Sequence, residues 1–152
     1  MDLILWRHAE AEDGDPDMER ALTGKGQKQA RRMAEWLDAQ LPDGCKILVS
    51  PAVRTLQTVE PLGRKFKTAP ELAPGATPQE ILRAVNWPNG KEPVLVVGHQ
   101  PTLGQLAALL VCGTPQPWDI KKGAAWWFVQ REPKDPDSLY VKAVMGPDLI
   151  VK

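Results

Sequence analysis

Two histidines occur in the sequence, His8 and His99, and each ends an apolar run. Leu3-Ile4-Leu5-Trp6 leads into Arg7-His8, and Val94-Leu95-Val96-Val97 leads into Gly98-His99-Gln100-Pro101. Imidazole is the side chain whose ordinary pKa lies nearest neutrality, so it can act as nucleophile, acid or base with little adjustment. A third segment, Ser50-Pro51-Ala52-Val53-Arg54, follows the apolar run Ile47-Leu48-Val49 and adds a second arginine to Arg7. Two arginines crowded with two histidines are costly unless an anion joins them, and a phosphoryl group matches guanidinium forks in charge and geometry. Taken singly, each of these side chains has an ordinary packing or surface role open to it. The coincidence of both histidines with strand ends is what argues for a site.

The elements that must position these residues are legible in the periodicity. Continuous apolar runs of this length predict parallel strands covered on both faces by helices, and in such sheets ligands bind beyond the carboxyl ends of the strands. Residues 9–20, rich in Asp, Glu and Gly, predict a solvated loop whose charges are surface charges. After Thr23, Ala30, Met33, Ala34, Leu37 and Leu41 fall on one helical face, with Lys28, Arg31, Arg32, Glu35 and Asp38 opposite, up to a stop near Pro42-Asp43-Gly44. Ser50-Pro51 predicts an N-cap followed by a first-turn proline, for a helix over 52–60 that Pro61 kinks or ends. Further helices are predicted over 77–85 and from Thr102 to a stop at Gly113. Residues 126–129 and 139–145 predict a closing hairpin around Lys134-Asp135-Pro136. The expected fold class is α/β: one domain over 1–152, a three-layer α/β/α sandwich with a mainly parallel central sheet.

Composition narrows the function classes. Lys plus Arg and Asp plus Glu number 19 each, so no global basic field invites nucleic acid, and no nucleic-acid partner is expected. No apolar stretch approaches membrane-spanning length and no basic leader precedes the first strand, so a cytoplasmic protein without a membrane partner is expected. Cys45 and Cys112 are isolated and predict buried free thiols. The six tryptophans, Trp126-Trp127 among them, predict sheet packing rather than an exposed docking face. Gly24-Lys25-Gly26 continues with Gln27 and so lacks the phosphate-loop pattern; it predicts a helix start. A metal site drawn from His8, His99, Glu10 and Asp13 would have to form beside arginines that repel a cation, so neither a metal nor a cofactor is expected.

Trp6-Arg7-His8-Ala9, Leu22-Thr23-x-x-Gly26, Ser50-Pro51-x-x-Arg54-x-x-Gln57-Thr58 and Gly98-His99-Gln100-Pro101 together resemble the histidine phosphatase superfamily, the phosphoglycerate mutase-like fold. They are similar in particular to its small bacterial SixA-like phosphohistidine phosphatases. The resemblance spans nearly the whole chain; Ala9 stands where a glycine is usual. It implies a metal-independent phosphatase in which His8 takes the phosphoryl group as nucleophile and Arg7, Arg54 and His99 hold its oxygens. The implied partner is a histidine-phosphorylated signalling or phosphotransfer protein. The alternatives are a small phosphorylated substrate, turned over by a phosphomonoesterase or mutase with the same core, and a phosphate-binding regulatory module without turnover. Nearby guanidinium charges are expected to keep His8 neutral, and a ring N–H donated to a backbone carbonyl would fix its tautomer. Gln100 occupies the position where acid-phosphatase relatives commonly carry an Asp. Glu71, in Pro70-Glu71-Leu72, matches an acidic position of many relatives and is the candidate proton donor, with an exposed loop glutamate as the alternative. Arg20 resembles an arginine that reaches the phosphate from the acidic loop.

Overall fold

A computed structural model describes residues 1–150. Its centre is a six-stranded sheet in the order β3-β2-β4-β1-β5-β6, built from β1 (Asp2–Arg7), β2 (Lys46–Val49), β3 (Lys67–Thr68), β4 (Val94–Gly98), β5 (Ala125–Gln130) and β6 (Leu139–Met145). The first four strands run parallel, while β5 and β6 are antiparallel, so the mainly parallel sheet expected from the apolar runs is present. Successive side chains of a strand point to opposite faces. Accordingly Ile4, Trp6, Leu95 and Val97 enter one core with Met33 and Leu37 of α1 (Gly24–Gln40), which shares that face with α2 (Val53–Val59). Leu3, Leu5, Val94 and Val96 enter the other with Ile81 of α3 (Pro78–Ala84) and with Leu103 and Leu106 of α4 (Thr102–Cys112). The result is a three-layer α/β/α sandwich.

Most element boundaries follow the expected chemistry. Thr23 caps α1 by accepting from the Gly26 N–H at 2.9 Å, Thr77 and Glu80 form a reciprocal capping box on α3, and Gly113 ends α4 in the left-handed region. Pro61 ends α2 as expected, and the chain continues as a single 3-10 turn over Glu60–Leu62. Two expectations are corrected. Ser50 is not a helix cap: α2 begins at Val53 with Ala52 in the cap position. The Thr55 hydroxyl closes the turn by bonding the Ser50 and Ala52 carbonyls, while the Ser50 hydroxyl accepts from the Ala52 N–H at 3.3 Å. Cys112 is exposed at the end of α4, where the helix runs out of the core, and Cys45 is half-buried with its thiol pushed up to about 11 by burial. Strand β3 had no signal, because Lys67 and Thr68 are both exposed and show no apolar alternation.

Trp127 is buried and its indole N–H donates to Asp2 Oδ2, while half-buried Trp126 makes tilted ring contacts with Trp118 and Phe128, as the packing reading expected. No helix among the described residues is long and apolar enough to cross a membrane.

Candidate active site

Parallel pairing of β1 with β4 sets Arg7 opposite Gly98, so the residues that follow, His8 and His99, emerge side by side at the carboxyl edge of the sheet. Their ring centroids are 5.3 Å apart and their planes are inclined by 55°. Backbone bonds from His8 N to Gly98 O and from Ser50 N to Val97 O extend the ladder past the strand ends, bringing Ser50 in from β2 on the other side. A cleft of about 370 Å³ opens there, lined by Arg7, His8, Arg20, Arg54, His99, Gln100 and Lys122, with the carboxylates of Asp13 and Asp17 at its wall. The structure therefore brings together Arg7, His8, Arg54, His99 and Arg20 from four separate stretches of sequence. Glu71 does not line the cleft: it is exposed on the 3-10 turn Pro70–Leu72, and Pro74 is the residue of that loop that reaches the wall.

His8 is 8 % exposed and His99 and Arg54 are 4 % exposed, so these charge-capable groups sit in a largely dry setting. The His8 Nδ1 donates to the Ala9 carbonyl at 2.7 Å. A carbonyl oxygen can only accept, so the proton is on Nδ1 and the lone pair is on Nε2. Burial is the main reason that the His8 pKa falls to about 4; the Ala9 bond opposes that fall, while the Arg54, Arg7 and Arg20 charges add to it. His99 falls to about 3, again through burial first and the Arg54 charge second. The guanidinium charges thus help keep His8 neutral, as the sequence suggested, but desolvation is the larger cause.

His99 Nε2 lies 2.8 Å from the Ser50 hydroxyl, a partnership that the reading of Ser50 as a helix cap had hidden. Arg7 Nη1 donates to the Ile120 carbonyl at 2.8 Å, and Asp119 lies 3.9 Å from the same nitrogen. Arg54 Nη1 donates to the Asp17 carbonyl at 2.8 Å and its Nη2 to Asp17 Oδ2 at 3.1 Å. Arg20 donates to Asp17 Oδ1 at 3.0 Å and to the Glu12 carbonyl. Asp17, which the sequence assigned to a merely solvated loop, is therefore the carboxylate that joins two arginines of the cleft, and their hydrogen bonds hold it below the ordinary carboxylate range. Its signal was its place three residues before Arg20, too weak to separate it from the other acids of the loop.

Helix α2 anchors the same loop from below. Thr58 donates to the Arg54 carbonyl and accepts from the Ala9 N–H, while Gln57 accepts from the Leu22 N–H. Gln100 is fully occupied as a clamp: its carbonyl accepts from Gly104 N at 2.7 Å and its amide donates to the Trp118 carbonyl at 2.8 Å. Glu10 accepts from the Thr23 hydroxyl, so its carboxylate is committed to the start of α1. Among the described residues no three His, Cys, Asp or Glu side chains gather into a metal-holding group.

Three buried nitrogens have no hydrogen-bond partner among the described residues: Arg7 Nε, Arg54 Nε and His99 Nδ1. All three belong to residues that line this one cleft, and buried donors are ordinarily satisfied, so the arrangement has the character of an anion site awaiting oxygen atoms. Residues 3–77 match the family model described as histidine phosphatase superfamily (branch 1). The phosphohistidine phosphatase SixA of Escherichia coli (strain K12) is 34 % identical over 127 residues, covering 77 % of this chain and 78 % of the relative. The chain belongs to the histidine phosphatase superfamily. A SixA homologue of Haemophilus influenzae is 32 % identical over 130 residues, covering 72 % of this chain and 77 % of that protein. A solved structure of the protein histidine phosphatase SixA complexed with tungstate superposes with a TM-score of 0.81 at 28 % identity, covering 97 % of this chain and 98 % of that one. Superfamily membership and the SixA relatives support a phosphatase.

Proposed function

We propose that the protein hydrolyses phosphohistidine on a partner protein, through a covalent phospho-His8 intermediate and without a metal ion. The observation that carries this reading is the set of three buried, unpartnered nitrogens on Arg7, Arg54 and His99, gathered around an imidazole whose Nε2 lone pair is free. Oxygens of a phosphoryl group would complete all three, and the tungstate held by the SixA relative is likewise a tetrahedral oxyanion. With the Ser50 hydroxyl donating to His99 Nε2, the proton of His99 sits on Nδ1, where it serves as a donor to the transferring group. The His8 lone pair attacks phosphorus in line, the substrate P–N bond breaks, and a protonated substrate ring departs as neutral imidazole. Water then attacks phospho-His8, releasing inorganic phosphate and restoring the lone pair. The guanidinium charges of Arg7 and Arg54 neutralise the equatorial oxygens, the role a divalent cation plays in other phosphoryl-transfer sites.

His8→Ala tests this directly. Its turnover of a phosphohistidine peptide should fall at least 1000-fold with an unchanged circular dichroism spectrum, because only the nucleophile is lost. Acid-labile, alkali-stable phosphate should be trapped on the wild type alone. Vanadate should inhibit, and EDTA should leave the rate untouched. Activity of His8→Ala within tenfold of wild type, label on Ser50, or rescue of an EDTA-treated enzyme by Mg²⁺ or Zn²⁺ would refute the mechanism.

A further inference from the structure

Beside the His8 cleft lies a second and larger one, of about 570 Å³, whose walls carry six cationic side chains against two carboxylates. Three of the cations, Lys25, Lys28 and Arg32, are exposed on α1 at spacings of three and four residues, so they form a stripe roughly 10 Å long down one helix face. Lys121, Lys122 and Arg7 complete the set from the segment that precedes β5 and from the end of β1. Of the two acids, Asp119 is already taken by Lys121 at 2.9 Å and by Arg7. Among the described residues Lys25, Lys28, Arg32 and Lys122 have no carboxylate within ion-pair distance. In a chain whose acids and bases balance, this is a marked local excess of positive charge.

The two clefts share a wall. Arg7 and Lys122 line both, so a surface seated on the α1 stripe continues directly to the phosphoryl site. We infer that the α1 stripe is the docking surface for an acidic face of the phosphorylated partner protein, gripping carboxylates near the phosphohistidine while His8 receives the phosphoryl group. The inference rests on the phosphohistidine reading above and adds the part of the partner that the enzyme recognises. Exposed lysines opposite exposed carboxylates act chiefly on encounter and on KM, and their effect is screened by salt.

The test uses two phosphohistidine peptides of equal length, one with four Glu around the phosphohistidine and one with Gln at those positions, and an aryl phosphate as third substrate. Wild type should turn over the Glu peptide with about tenfold higher kcat/KM than the Gln peptide at low ionic strength, mostly through KM, and the advantage should shrink toward parity in 0.5 M salt, at roughly a 4 Å screening length. The triple variant Lys25→Gln, Lys28→Gln, Arg32→Gln keeps good helix formers at exposed positions, so it should fold. It should lose the preference for Glu while its aryl-phosphate kcat/KM stays within twofold of wild type. Equal hydrolysis of the two peptides by wild type overturns the docking surface and leaves the phosphohistidine activity standing. Hydrolysis of neither peptide by an enzyme that cleaves the aryl phosphate overturns both readings. An equal loss of all three substrates in the triple variant, or binding of tripolyphosphate through the stripe when the peptides are treated alike, also overturns it.

Discussion

At the scale of single residues, the chemistry depends on keeping two buried imidazoles neutral and on letting arginines wait for an anion without collapsing onto one another. The pKa of His8 is pushed to about 4 and that of His99 to about 3, chiefly by burial. In the unfolded chain both would titrate near about 6.5. Between that value and about 4 the unfolded state binds more protons, so stability should be fully present above pH 6.5 and decline as pH falls toward 4. Since the sequence has only these two histidines, imidazole NMR signals are unambiguous. Both should remain neutral at pH 5.5 in the free protein, and a midpoint near 6.5 for either would contradict the burial argument. Asp17 provides the second residue-scale test. Its carboxylate partly neutralises Arg54 and Arg20, whereas its backbone carbonyl is what Arg54 Nη1 grips. Asp17→Asn keeps the carbonyl and an amide oxygen but removes the competing charge. Vanadate should bind up to about fivefold tighter with kcat little changed, the range an exposed and screened charge pair allows. Weaker binding would mean instead that the carboxylate orients Arg54.

At the scale of elements, close backbone approaches set the positions of the loops that carry the site. A Cβ on Gly26 would overlap the Glu10 carbonyl oxygen, and a Cβ on Gly104 would overlap the Trp118 carbonyl oxygen and crowd the Gln100 amide. Gly26 thus lets α1 lie against the loop after His8. Gly104 lets the first turn of α4 dock on the segment whose Ile120 carbonyl holds Arg7. Gly104→Ala should lower the stability by about 1–3 kcal/mol in denaturant titration, the usual cost of overpacking, and should weaken vanadate binding by displacing Arg7. An unchanged vanadate affinity would show that the 118–122 segment does not position Arg7. The same level explains what the sequence could disclose. The strand ends, the α1 face, the helix starts after Thr23 and near Thr77 and the stop at Gly113 rest on local patterns within a few residues, and they appear where expected. Ser50 bonding His99, Gln100 clamping Gly104 to Trp118, and Asp17 bridging two arginines are contacts across 49, 18 and 37 residues, and local pattern carries no signal for them. Glu71 shows the converse: its match to a family position is a matter of alignment, and the turn that bears it leaves the side chain outside the cleft wall.

At the scale of the whole molecule, the sheet order places β2, β4 and β1 side by side, so their carboxyl ends build one cleft with many donors and few acids. That imbalance has a consequence for substrate choice. Of the groups that line the cleft, Asp17 is tied to arginines and held ionised, and Gln100 has both ends of its amide engaged. Neither is equipped to hand a proton to a departing alkoxide, and general acid help is typically worth roughly 10²–10⁴-fold. A protonated phosphoimidazole needs no such help, since its ring leaves neutral, and an aryl oxide is an intermediate case. The protein should therefore hydrolyse phosphohistidine fastest, aryl phosphates measurably, and sugar or serine phosphates at least 100-fold more slowly than the aryl compounds. Gln100→Asp should not supply the missing acid, because it removes the bond to the Trp118 carbonyl; its expected outcome is a loss of stability of about 1–3 kcal/mol, with alkyl phosphates still slow. Rapid hydrolysis of a sugar phosphate by the wild type would reverse this ordering. If that activity vanished in Asp13→Asn, the acid would be the remaining carboxylate of the cleft wall; if in Glu71→Gln, the 3-10 turn after β3 would have to swing inward during catalysis, and a small phosphomonoester would become the better substrate for this fold.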